Sequence, residues 1–282
     1  MSEETRVRRR SILSAILFIV AIQIFSLYIT YKNRPFYVAF GYSSSLAGTS
    51  VQGSLVSVLL LLSVVFFSTI LLGWLLRKKK TNTFKFLTFF SLAFASFFLT
   101  LSTVDIFFSG FKFYSQSILP FEILLSFLPV VLIGFIVFGK GTQKLSLPVL
   151  GFLSAEVGSF FASTLPPLTA LLLPAAFAIY DMYAVFKGPL RQLLSAAPLG
   201  SLQGVATKVS DFTIGLGDNV FYAMLPSVAL WYSGINAALL TTIAIDSGVC
   251  FTLSLLKRRR ILPGLPIPIF LGLLVIILFR LL

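Results

Sequence analysis

Apolar runs of about 18–25 residues recur along almost the whole length of this 282-residue chain. Each is long enough to cross the roughly 30 Å hydrocarbon core of a bilayer as a helix, and their repetition is the signature of an all-α, polytopic membrane protein. Nine spans are expected, at about 11–31, 53–76, 86–108, 120–139, 147–165, 168–186, 212–232, 234–256 and 265–282. The first follows Arg6, Arg8, Arg9 and Arg10. It is too long for a signal-peptide core and no small-residue cleavage site follows it, so it reads as a retained span. Only Pro166-Pro167 separates spans five and six, and a regular helix cannot pass two prolines without losing hydrogen bonds. The chain reads as one membrane domain over residues 1–282. Within it, 1–187 hold spans one to six, 188–211 form a cytoplasmic loop, and 212–282 hold spans seven to nine.

A net charge of +13 would point to nucleic acid in a soluble protein, but here its distribution decides. Eighteen of the 22 lysines and arginines fall on the side holding the N-terminus; Lys32, Arg34, Lys112 and Arg280 make up the other side. This bias puts the N-terminus in the cytoplasm and the C-terminus outside, in a multi-pass protein of the cell membrane. The basic excess is then a topology signal with some attraction to anionic lipid, and no nucleic-acid partner is expected.

With no histidine in the chain, neither a His-Glu-x-x-His metalloprotease nor a serine or cysteine nucleophile with a histidine base can be built. The single cysteine, Cys250, rules out an intramolecular disulfide and reads as a small buried residue. Neither a metal nor a cofactor is expected.

What remains is carboxylate chemistry. Asp181 lies in Tyr180-Asp181 near the cytoplasmic end of span six, and Asp218 in Gly215-Leu216-Gly217-Asp218 near the start of span seven. A carboxylate at the centre of a membrane helix costs roughly 2.5–3.5 kcal/mol, so such residues are rare and usually functional. Counted from the span ends, Asp181 is about 9 Å and Asp218 about 10 Å deep, which makes a facing pair plausible. Gly215, read as lying one helical turn before Asp218, clears space beside the carboxylate, and Gly217 removes a second side chain. Pro263-Gly264-Leu265-Pro266 opens span nine at the same depth, and its two prolines keep the backbone irregular.

At these residues the chain resembles the GxGD intramembrane aspartyl proteases, the presenilin and signal peptide peptidase family. Tyr180-Asp181, Gly215-Leu216-Gly217-Asp218 and the Pro-x-Leu-Pro of Pro263–Pro266 match in order and in span, and Val220-Phe221-Tyr222 resembles the presenilin side of the family. The size resembles that of the microbial, archaeal-type presenilin homologues. The family's Pro-Ala-Leu is Pro263-Gly264-Leu265 here. The resemblance implies hydrolysis of peptide bonds in transmembrane-helix substrates, with Asp181 and Asp218 catalytic. It implies support of substrate and site by Tyr180, Gly215, Leu216, Gly217, Pro263, Gly264, Leu265 and Pro266. No segment of the short loop between spans six and seven reads as a self-cleavage site, so activity as an intact chain is expected. Separately from the resemblance, no accessory subunit is expected to be required.

Resemblance and chemistry agree on two carboxylates that share one proton and activate a water. Leu265 and its proline-rich surroundings are expected to hold an unwound substrate in the manner of strand addition. Taken alone, the glycines fit a helix interface equally well, and Tyr180 and Tyr222 fit simple packing. Other acids in or near spans are Asp105, Glu122, Glu156 and Asp246. Glu156 and Asp246 motivate the alternative, a carboxylate-dependent proton- or cation-coupled secondary transporter.

Overall fold

Each of the nine apolar runs carries a helix. The computed structural model describes residues 3–39, 51–78, 80–109, 119–139, 143–186, 204–256 and 262–281. Among them, α1 is Glu3–Ala39, α2 Val51–Arg77, α3 Thr81–Ser109, α4 Leu119–Val137, α5 Gln143–Thr164 and α6 Pro167–Phe186. Two short strands follow, β1 (Ala206–Val209) and β2 (Phe212–Gly215), then α7 (Leu216–Ser233), α8 (Ile235–Leu255) and α9 (Pro266–Leu281). Helices α1 to α6 and α8 are long and apolar enough to cross a membrane, and α9 is a shorter apolar helix. Lys112, Lys140, Lys187, Arg191 and the Lys257–Arg260 cluster, on which the charge count leans, lie outside the described residues, as do 187–203 of the loop.

Helix α7 is the axis of the bundle. Every residue from Asn219 to Trp231 is buried, and the helix packs against α5, α1, α8, α9 and α6. A helix covered all round is what the Val220–Trp231 run, apolar except for Ser227, produces in a bundle core. Its neighbours α1 and α5 run parallel to it. Phe25 and Thr30 meet Phe152 and Ser159 in the same order, and Ser26 bonds Ser227 at 2.9 Å. These hydroxyl pairs satisfy groups that would otherwise be orphaned in an apolar interior. Gly158 lets α5 approach closely, since a Cβ there would lie 2.9 Å from the Met224 amide nitrogen and 3.0 Å from the Val220 carbonyl oxygen.

The break expected at Pro166-Pro167 is present: α5 ends at Thr164 and α6 starts at Pro167. Proline suits a first helical position, where no amide donor is needed. The Tyr232 hydroxyl donates to the Leu165 carbonyl at 2.8 Å and pins this turn to the far end of α7.

The start of span seven departs from expectation. Residues 212–215 are a β-strand, paired antiparallel with β1 in the register Ala206↔Gly215 to Val209↔Phe212. Thr207, Val209 and Ile214 are buried while Lys208 and Thr213 are exposed, and this period of two favours a hairpin over a helix. Ser210, at φ 54°, makes the turn with Asp211, and Ser11 of α1 bonds both residues. The all-α expectation therefore holds except for this hairpin.

Gly158→Val places its extra atoms against α7 backbone, which cannot rotate away. Overpacking of this kind costs on the order of 1–3 kcal/mol, so thermal unfolding in mild detergent should fall by several degrees; an unchanged midpoint would contradict the α5–α7 contact.

Candidate active site

The hairpin sets where α7 begins. The Leu216 amide donates to the Val205 carbonyl at 2.9 Å, continuing the ladder into the helix start. Gly215 is therefore the N-cap, in extended conformation (φ −65°, ψ 144°), and does not lie one turn earlier within the helix as expected. Asp218 is the third residue of α7, so the depth of about 10 Å counted from 211 does not apply. Its carboxylate accepts from the Gly215 backbone amide, the carboxylate half of a capping box. The glycine still clears space as read: a Cβ on Gly215 would lie 3.3 Å from Asp218 Oδ2. Among the described residues nothing lies within 4 Å of the position a Gly217 Cβ would take, which leaves that side of the helix start open.

Asp181 comes from α6, which runs antiparallel to α7. The level is fixed one turn deeper on each helix, where the Phe177 and Phe221 rings meet at 4.8 Å. The two carboxylates are electrostatic neighbours across this pair. The matching depth expected of them is what the structure shows, reached through a different α7 start.

Pro263-Gly264-Leu265 ties the carboxylates together. The Leu265 amide donates to Asp181 Oδ2 at 3.1 Å, and the Gly264 amide also reaches Asp181. The Tyr222 hydroxyl donates to the Gly264 carbonyl at 2.9 Å. On the opposite side, Gly264 faces Asp218: a Cβ there would lie 2.7 Å from Asp218 Oδ2. Glycine thus stands where the space is filled by the second carboxylate. Because Leu265 immediately precedes α9, the N-termini of α7 and α9 both face the pair, and their positive dipole ends favour negative charge. Leu265 is itself buried. A cavity of about 80 Å³ beside Asp218, bordered by Tyr222, Thr252 and Gly264, is large enough to hold water.

The remaining predicted residues are arranged less tightly. Tyr180 lies between Phe66 of α2 and Phe177, at 6.4 and 6.5 Å, and its hydroxyl is buried without a partner among the described residues. Pro263 and Pro266 flank the tie, with Pro266 opening α9. Tyr222, left open between packing and a direct role, holds the tie in place. Asn219 was missed; it is fully buried and its amide approaches the Thr207 hydroxyl at 3.5 Å, joining hairpin to helix. A second amide-bearing polar residue directly after Asp218 was the available signal. Glu156 is far from this centre, bonded to Thr100 at 3.1 Å between α5 and α3. Asp246 lies beside Gln23 of α1, and the Gln23 amide and Asp246 Oδ1 are buried without a hydrogen-bond partner among the described residues.

Residues 203–282, which include the hairpin, Asp218 and the tie, match the family model for presenilin. Over nearly its whole length the chain also superposes on a presenilin family intramembrane aspartate protease solved in two crystal forms. The TM-scores are 0.62 and 0.61 at 16% and 17% identity, covering 95% and 94% of this chain and 98% and 96% of those. The chain is presenilin-like in fold and in its motif-bearing segment. Presenilin-B of Dictyostelium discoideum is 38% identical over 120 residues, 39% of this chain and 25% of that protein. Presenilin sel-12 of Caenorhabditis elegans is 48% identical over 61 residues, 21% and 14% respectively. The matched segments span a quarter or less of those relatives. Glu156 and Asp246 lie on α5 and α8, outside the aspartate pair, and none of these matches supports the transporter reading.

Gly264→Ala, the residue of the family motif, should leave thermal stability at or slightly above wild type, because alanine restricts the unfolded chain. It should also displace the Asp218 carboxylate, visible in a structure of the variant. An unmoved Asp218 would contradict the packing described.

Proposed function

We propose that this chain is an intramembrane aspartyl endopeptidase that hydrolyses peptide bonds within transmembrane helices of protein substrates. The observation that carries the reading is that one turn, Pro263-Gly264-Leu265, binds Asp181 through its amides and abuts Asp218 through its bare Cα. The presenilin-like fold and the family match over that segment support it.

In the mechanism, the two carboxylates share one proton, since neighbouring like charges resist joint ionisation. The ionised member takes a proton from water as the oxygen attacks the scissile carbonyl. The protonated member hydrogen-bonds the carbonyl oxygen and stabilises the tetrahedral species, then returns a proton to the leaving amine. The pair titrates as a unit, and neither aspartate is assigned a fixed role. Leu265 acts on Asp181, with its amide committed to that carboxylate, while the open side at Gly217 leaves room for an unwound substrate strand. Tyr180, Gly215, Leu216, Pro263 and Pro266 shape this surface. We read all nine helices as crossings of the cell membrane, N-terminus cytoplasmic and C-terminus outside, with the chain active without accessory subunits.

Purified, reconstituted chain should cleave a single-span peptide, and Asp181→Asn and Asp218→Asn should each lose at least about 100-fold. Equal cleavage by all three proteins would overturn the reading. Gly264→Ala should lower kcat by about 10–100-fold with KM little changed, because misplacing a reacting group by about an ångström costs this much; a selective rise in KM would place Gly264 in substrate binding instead.

A further inference from the structure

A cavity of about 590 Å³ separates the α3–α4 pair from α1 and α5. This lies within the range of roughly 300–1,000 Å³ typical of ligand sites. Helices α3 and α4 pack extensively on each other and sparingly on the rest of the bundle, so the void lies where the fold is thinnest. Pro129 and Pro148, inside α4 and α5, line it. A proline inside a helix removes a hydrogen bond and favours a bend, and both of these stand at the wall of the gap.

The cavity has the shape of a chain with a head. On α1 it is lined from Phe25 to Asn33, and on α5 from Leu145 to Phe152. Phe25 and Phe152 are in contact, so the two stretches continue one another over about 20 Å at 1.5 Å per residue. Half a bilayer core is roughly 15 Å, so one acyl chain fits. The walls are almost entirely apolar, and an apolar void of this size does not hold ordered water. One end is polar. Lys32 lines the cavity there with its side chain exposed, at the limit of the apolar part of α1. Asn33 beside it is 6% exposed, and its Oδ1 has no hydrogen-bond partner among the described residues. Near this end Asp105 and Glu122 are electrostatic neighbours, and Glu122 Oε1 is likewise buried without a partner.

We propose that this cavity is a structural lipid site for one phosphatidylethanolamine, one of its two acyl chains between α3–α4 and α1–α5 and the other in the bilayer, its phosphate at Lys32 and its ammonium at the orphaned Asn33 oxygen. A buried acceptor without a partner calls for a donor, which the ammonium has and a choline headgroup lacks. Lys32 and Arg34 balance Asp105 and Glu122 at this end, which favours a zwitterionic headgroup over one of net negative charge. The site is independent of the aspartate pair and of any proteolytic activity.

The intact chain, purified in mild detergent from vesicles holding equal phosphatidylethanolamine, phosphatidylcholine and phosphatidylglycerol, is examined by native mass spectrometry. Wild type should retain one phosphatidylethanolamine, at least tenfold over either competitor. Leu128→Trp fills the cavity from an exposed position, so it should fold normally and retain no lipid. Asn33→Leu should keep one lipid but hold ethanolamine and choline headgroups alike. Equal lipid on wild type and Leu128→Trp would overturn the site. Retention of phosphatidylcholine or phosphatidylglycerol as strongly as phosphatidylethanolamine by wild type would overturn the headgroup assignment.

Discussion

A carboxylate buried among apolar helices must find donors, and the way Asp181 finds them organises this molecule. Its partners are the amides of Leu265 and Gly264, which are free only because they stand outside α9. Pro263 and Pro266 keep that segment out of a regular helix, and the Tyr222 hydroxyl holds its carbonyl from the α7 side. The same turn has no side chain where Asp218 needs room. Remove the irregular backbone, and one aspartate loses its donors while the other loses its space.

The two carboxylates are not held alike. Asp218 belongs to a helix buried on all sides and started by a paired hairpin, so its backbone is placed by the most constrained part of the fold. Asp181 belongs to α6, where Ile179, Met182 and Tyr183 face outward and the main supports are α2, α9 and α7. Helix α2 is itself largely exposed. The placement of Asp181 beside Asp218 therefore rests on the Leu265 amide as well as on the packing of α6, whereas Asp218 is fixed by its own helix.

Much of this was legible in the residues. Each of the nine apolar runs carries a helix among the described residues, and the proline pair marked the α5–α6 turn. Tyr-Asp, Gly-x-Gly-Asp and Pro-x-Leu-Pro lie together as their shared depth implied. The hairpin was not legible, because Phe212-Thr213-Ile214 is apolar enough to extend a membrane span, and the alternation of a four-residue strand is too short to oppose it. That error moved Gly215 into a helix it actually caps. The tie between Tyr222 and Gly264, and the fit of Gly264 against Asp218, depend on contacts across 42 and 46 positions, which no local pattern encodes.

The central claim, that Asp181, Asp218 and the Pro263–Leu265 turn form a single reaction centre, is tested most directly by photolabelling with a hydroxyl-bearing peptide isostere that mimics the tetrahedral species. Labelled peptides should come from α6, from α7 and from residues 262–266, and labelling should vanish in both Asp181→Asn and Asp218→Asn. Labelling that persists in either variant, or that maps away from these three segments, would contradict the account.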